Sequence, residues 1–262
     1  MKHFNFKSGE SSVSVSVHDD QELFFRYEGD ESIVRLLMIA DAMKRIGRPL
    51  RKLNIPYFPG SRQDRVCNYG EAFSLKVYAN LINSLGLEEV AIFDPHSEVT
   101  PALIENCRVI DNSALVMRAM CRYGVTSYNQ HPLVSPDAGS NKKIFGLAKH
   151  LGGPEVIRAD KVRDVRDGKI IGTEVFADDL SGKTLWVIDD IISGGRTFIE
   201  LAKKLKEKGA AKVLLIVSHD EGVCSEQLLK ESGIDKMFTT NSIKSDLTSS
   251  DFRVVFDIKE FV

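Results

Sequence analysis

The sequence predicts an α/β protein of two domains, each a mainly parallel sheet flanked by helices. Three observations carry that expectation. Short apolar runs of strand length alternate with segments of helical periodicity along the chain, the signature of βαβ units. The 262 residues, 43% apolar and 27% charged, suffice for two cores without disulfides or a structural metal. Glycines such as Gly47, Gly86 and Gly209 fall just after helical patterns, where a left-handed stop is expected. The boundary is placed between residues 114 and 115, giving domains 1–114 and 115–262.

The elements follow in order. SSVSVSV, through Val13 to Val17, alternates serine with valine and reads as a half-buried, antiparallel strand. From Glu31 to Ile46 the spacing of Ile33, Leu36, Leu37, Ala40 and Met43 gives one apolar helix face. Leu53 to Phe58 reads as a strand, Glu71 to Ser84 as a helix, and Val90 to Phe93 as a strand running into DPHSEV. The second half opens near Leu115 with the helix ALVMRAMCRYG, then strand and loop in HPLVSPDAGS, then a lysine-bearing helix ending at Gly152 and Gly153. VIRADKVRDVRDGKIIGTEVF is too charged for a core element and reads as strand, mobile loop, strand. TLWVIDD is a buried strand, Phe198 to Lys208 a helix, AKVLLIVSHD a strand and SEQLLKESG a helix.

Charge and composition exclude several classes. With 35 basic and 37 acidic side chains the chain does not coat nucleic acid. Cys67, Cys107, Cys121 and Cys224 form no CxxC pair, which fits reduced thiols and a cytoplasmic protein. No apolar run reaches the ~18 residues of a membrane span, and MKHFNFKSGE lacks a signal-peptide core.

The strongest motif is LWVIDDIISGGRTF, in which an apolar strand delivers two carboxylates, a Gly-rich turn and a helix start. Ser193, Gly194, Gly195, Arg196 and Thr197 can present backbone N–H groups and a helix N-terminus to a phosphate, and Asp189 and Asp190 can bind vicinal ribose hydroxyls. His96 and Asp137 each lie just beyond a strand and can converge at the carboxyl edge of a parallel sheet. Taken alone, RQDR at Arg62 to Arg65 is a solvated turn and the stretch holding Lys161 and Arg163 a solvated hairpin. SGKT at Ser181 to Thr184 ends like a phosphate-binding loop, but its upstream glycine is Ala177 and it leads into a strand, so it reads as a turn. Cys67 has no histidine partner and reads as passive, and His131, His150 and His219 carry no role.

The Asp189 to Thr197 stretch resembles the phosphoribosyl pyrophosphate (PRPP) loop of phosphoribosyltransferase-fold proteins. IPYFPGSRQDR, from Ile55 to Arg65, is similar to the ATP loop PYxxxRQDR of ribose-phosphate pyrophosphokinases, which salvage phosphoribosyltransferases lack. FDPHSEV, VSPDAGS and DKVRD resemble that family's DLH, VSPDxG and basic flexible-loop segments, in the family's order, so the resemblance spans nearly the whole chain.

The resemblance implies two phosphoribosyltransferase-like domains and transfer of the pyrophosphoryl group of ATP to the anomeric hydroxyl of ribose 5-phosphate, giving PRPP and AMP. It assigns catalysis to Lys161 and Arg163, and ATP binding to Phe6, Ser8, Glu10, Arg62, Gln63 and Asp64. Ribose 5-phosphate falls to Asp189, Asp190, Ser193, Gly194, Gly195, Arg196 and Thr197, and Mg2+ to His96 and Asp137. It also implies a homo-oligomer in which FKSGE, at Phe6 to Glu10, reaches a neighbouring subunit's ATP site. Three departures stand out. Ser8 and Ser193 replace acids, Arg196 replaces a glycine, and the strand and helix that precede FxDGE in the family are missing ahead of Phe6, which predicts a smaller first sheet. Two rival readings are a non-catalytic regulatory subunit and a PRPP-consuming salvage phosphoribosyltransferase.

Overall fold

The computed structural model describes the backbone of residues 1–163 and 170–262 and the side chains of residues 1–161 and 172–262. The expected mobile loop falls largely on residues 164–169, outside the described residues. The chain is α/β, with parallel sheets flanked by helices, and forms two compact units, residues 1–111 with 258–262, and residues 112–257. The last five residues therefore belong with the first unit, whereas the sequence assigned them to the second. Ile258 is fully buried, and the Phe261 ring lies 6.0 Å from that of Phe93.

In the first unit, β1 (Lys2–Asn5) and β2 (Ser11–Ser14) form an antiparallel hairpin. The serine–valine alternation makes the strand antiparallel as expected, but the strand stops before Val17, which is 54% exposed. β3 (Glu22–Phe24), β4 (Lys52–Ile55), β5 (Glu89–Phe93) and β6 (Cys107–Ile110) build a four-stranded parallel sheet in sequential order. α1 (Asp30–Arg45), α2 (Ser74–Asn83) and the short α3 (Val99–Leu103) make the crossovers. Ile33 and Leu36 of α1 and Leu75, Ala79 and Ile82 of α2 share one core with Leu53, Ile55, Val90 and Ile92 of the sheet.

β4 ends at Ile55, three residues earlier than expected, because Pro56 cannot donate to a ladder. α2 begins at Ser74 rather than Glu71, since the Glu71 carboxylate is engaged in the preceding turn, accepting the N–H groups of Cys67 and Asn68 at 3.0 Å each. β3 and β6 lack any strong apolar run and were not anticipated.

The second unit is built on a seven-stranded sheet in the order β13-β12-β11-β10-β7-β8-β9. Its strands are β7 (Leu133–Ser135), β8 (Val156–Arg163), β9 (Ile170–Val175), β10 (Thr184–Ile192), β11 (Lys212–Asp220), β12 (Lys236–Thr240) and β13 (Arg253–Phe256). All pairings are parallel except β8 with β9. Helices α4 (Ser113–Tyr123), α5 (Asn141–His150), α6 (Arg196–Glu207) and α7 (Glu226–Glu231) complete the unit. Leu185 and Val187 of β10 share a core with Phe198, Leu201 and Leu205 of α6, while Trp186, between them in sequence, meets Tyr123 of α4 and Phe238 on the other face. Burial on both faces explains why TLWVIDD and AKVLLIVSHD are continuous apolar runs. The turn at Ser181 to Thr184 does lead into a strand, with Gly182 at φ +74°.

Candidate functional site

The sheet topology of the second unit places a crevice before any side chain is considered. The chain leaves β7 for β8 on one side, and leaves β10 for β11 on the other. Connections that run in opposite directions separate at the carboxyl ends of the two strands between them, here β7 and β10, and such switch points are where parallel sheets bind ligands. The segments that emerge there are Asp137 after β7 and Asp189 to Thr197 at the end of β10, with Lys161 near the end of β8.

These groups are electrically linked. Lys161 Nζ donates to Asp137 Oδ2 at 2.8 Å, while Asp137 Oδ1 accepts the Ser140 N–H at 3.2 Å and so caps the 3-10 turn Ala138–Ser140. Asp190 is buried and its N–H donates to Asp189 Oδ1 at 3.0 Å. Burial, and then the Asp190 carboxylate beside it, push the Asp189 carboxyl well above the usual range; the Lys143 ammonium opposes that rise and Asp137 adds to it. The strand thus delivers two carboxylates that resist ionising together, with the Lys143 ammonium acting on Asp189.

Beyond them the chain turns through Ser193 and Gly194 to Gly195, at φ +76°, and enters α6. The first carbonyl of the helix to be used is that of Gly195, which accepts from the Ile199 N–H at 3.0 Å. The N–H groups of Arg196, Thr197 and Phe198 precede that bond and are the orphan donors of a helix start, an arrangement suited to an anion. The Arg196 side chain does not add to it. Its Nε donates to Glu200 Oε1 at 2.7 Å along the exposed helix surface.

Other expected site residues lie in the first unit. Ser8 and Glu10 sit in the hairpin turn, where Ser8 Oγ donates to Glu10 Oε2 at 2.8 Å, and the exposed Phe6 ring stacks edge-on to Phe4 at 5.2 Å. Arg62 and Gln63 are exposed in the turn after β4, with Arg65 Nε 3.6 Å from Asp64 Oδ1. Gln63 is anchored by its backbone: its N–H donates to Gly60 O at 2.8 Å and its carbonyl accepts the Leu75 N–H of α2 at 3.4 Å.

His96 is exposed after β5, in the four-stranded sheet, whereas Asp137 follows β7 in the seven-stranded one. The expectation that both lie on one sheet edge is therefore corrected: the two residues follow strands of different sheets. Among the described residues no group of three or more His, Cys, Asp or Glu side chains could cage a metal. Arg163 is in β8, but its side chain lies outside the described residues. His219 is buried, with Nδ1 2.8 Å from Ser242 Oγ.

Lys143 was missed. It stands in the first turn of α5, where a cation opposes the helix dipole, and that misplacement was the readable signal.

Comparison with known proteins places this architecture. A family model described as phosphoribosyl synthetase-associated domain matches residues 170–259. The chain is 31% identical over 254 residues to the ribose-phosphate pyrophosphokinase of Thermococcus kodakarensis, covering 93% of this chain and 85% of that one. It belongs to the ribose-phosphate pyrophosphokinase family. A second member, from Thermosipho africanus, is 30% identical over 236 residues, covering 86% of this chain and 71% of the relative. The fold of this family member is that of the phosphoribosylpyrophosphate synthetase of Mycobacterium smegmatis, with a TM-score of 0.79 at 22% identity over 99% of this chain and 86% of that structure. No helix among the described residues is long and apolar enough to cross a membrane.

Proposed function

We propose that the protein is an active ribose-phosphate pyrophosphokinase, transferring the pyrophosphoryl group of ATP to ribose 5-phosphate. The observation that carries the reading is the end of β10, where a carboxylate pair leads directly into a turn and a helix N-terminus. A sugar phosphate matches both parts at once. Its vicinal hydroxyls donate to Asp189 and Asp190, and its 5-phosphate accepts from the N–H groups that open α6. The anomeric hydroxyl then gives up its proton to solvent as its oxygen bonds the β-phosphorus of ATP, the bond from that phosphorus to the α,β-bridging oxygen breaks, and AMP leaves with that oxygen.

Lys161 is the cation for charge that develops on the transferred group, and Arg163, two residues further along β8, is assigned to the same task. Its ammonium is held by Asp137, so the charge is already at the sheet edge. Arg62, Gln63 and Asp64, with Phe6, Ser8 and Glu10 of a neighbouring subunit in a homo-oligomer, are assigned to ATP. Magnesium fits the donor set in a restricted sense. Asp137 offers hard oxygens, which magnesium prefers, and water and substrate phosphates would complete the ion's shell. When bound, the ion would neutralise polyphosphate charge.

The test is incubation of the purified protein with ribose 5-phosphate, ATP and magnesium, with AMP and PRPP followed by chromatography beside EDTA and Lys161→Ala controls. Equal amounts of AMP and PRPP are expected. ADP would mean ordinary kinase chemistry. Binding of both substrates without turnover would point to the regulatory-subunit reading.

A further inference from the structure

The turn at Gly195 is backed by a segment that the reaction as described does not use. A Cβ added to Gly195 would overlap Cys224 Sγ and lie 3.4 Å from Leu229 Cδ2, so the thiol fills the space against this glycine's α-carbon. Cys224 lies in residues 221–225, which join β11 to α7. That connection is fixed at both ends by ionic contacts. At its start, Asp220 is 2% exposed; its Oδ1 accepts the Gly222 N–H at 2.7 Å and its Oδ2 lies 3.1 Å from Arg253 Nη1. At its end, Arg253 Nη2 lies 3.3 Å from Glu226 Oε1, and Ser250 Oγ donates to the same carboxylate. Within it, Gly222 adopts φ +66° under the methylene stem of Lys244.

Arg253 belongs to β13, at the edge of the sheet, whereas the Gly195 turn follows β10, three strands away. The guanidinium thus ties two carboxylates that bracket the connection, and the connection presses a thiol onto the turn. Electrostatics agree with the geometry. Burial, then the Asp220 carboxylate, raise the Cys224 thiol above its ordinary range while Arg253 opposes the rise, so the three groups are neighbours.

We infer that Arg253, Asp220 and Cys224 form a strut that positions the Gly195 turn for the 5-phosphate, making them positioning residues for sugar-phosphate affinity, distinct from ATP binding. The inference rests on the proposed assignment of that turn to ribose 5-phosphate. A turn that opens a helix must hold its N–H groups within a fraction of an ångström of the phosphate oxygens, and displacement by about 1 Å can cost up to a hundredfold. Removing the thiol leaves a void behind Gly195, and enlarging it pushes the turn outward. Removing the guanidinium leaves a buried carboxylate unpaired and frees the connection.

The experiment measures ribose 5-phosphate and ATP affinities separately, by calorimetry, for the full chain and for Cys224→Ala, Cys224→Leu and Arg253→Met, with thermal unfolding of each. The expected result is a ribose 5-phosphate Kd raised about tenfold in Cys224→Leu and Arg253→Met and less in Cys224→Ala, with the ATP Kd unchanged. Should Arg253→Met fail to fold, the two cysteine variants decide the matter. Unchanged ribose 5-phosphate affinity in folded cysteine variants, or equal weakening for both ligands, overturns the strut and leaves the proposed function standing. Failure of the unaltered protein to bind ribose 5-phosphate overturns the proposed function, and the strut with it.

Discussion

At Lys161 and Asp137 the structure joins residues that the sequence assigned to separate tasks. They are 24 positions apart, and only the proximity of β7 and β8 brings ammonium and carboxylate to 2.8 Å. The pair is partly exposed, 24% and 29% for the two side chains, so it contributes at most about 1 kcal/mol to folding. Lys161→Ala should therefore unfold within about 2–4 °C of the unaltered protein, the shift expected for a change of up to about 1 kcal/mol. Its AMP and PRPP formation should fall about a hundredfold or more, as read by chromatography. Full activity in that variant would remove Lys161 from the mechanism. Asp189 behaves oppositely. Its carboxyl is raised, so the folded state holds its proton above the ordinary range and loses stability as pH climbs from there toward neutrality. Asp189→Asn should raise the unfolding midpoint, by about 2–4 °C for each kcal/mol relieved, with a gain that grows between acidic and neutral pH. It should abolish ribose 5-phosphate binding at the same time. A midpoint gap that shrinks with rising pH would contradict the assigned shift. The residue types of this site were legible in DDIISGGRT, but Lys143 and the diversion of Arg196 to Glu200 were not, because both depend on side-chain neighbours.

At the scale of elements, the RQDR turn shows how a loop acquires a shape. Gly60 sits at φ +71°, and a Cβ there would come within 2.9 Å of Tyr78 Cδ2 and 3.1 Å of the Leu75 backbone nitrogen. Tyr78 is itself fixed, its hydroxyl donating at 2.5 Å to Asp30 at the start of α1, and Tyr27 donates to the same oxygen at 2.8 Å. Gly60→Ala should thus strain the backbone by about 1–3 kcal/mol and shift Arg62 and Gln63. On the proposed function, the KM for ATP rises several-fold while that for ribose 5-phosphate stays put; the reverse pattern in steady-state kinetics would detach this turn from ATP. Most helices and the long strands were readable because their apolar spacing is set by burial on a fixed face. The three-residue β3 was not, and neither was β6, whose burial is only intermediate or less.

At the scale of the whole molecule, the chain returns at its end to the unit where it began. Ile258 is fully buried, Phe261 lies against Phe93, and the Lys259 ammonium stands 5.4 Å from the centre of the Phe24 ring. Deleting residues 258–262 should remove about 2–4 kcal/mol of apolar burial from the first unit. Hydrogen exchange would then quicken at β3 and β5, with β10 and β11 unaffected; uniform acceleration across both sheets would refute the assignment of this segment. By itself the sequence determined the α/β class, the βαβ order, the glycine-rich turn that opens a helix after β10 and the family, since periodicity and motif chemistry are local properties of the chain. Only the tertiary structure decided that His96 and Asp137 stand on different sheets, that Asp137 holds Lys161, and that Cys224 backs Gly195. Strand order and packing bring distant residues together, and no spacing along the chain encodes which strands become neighbours.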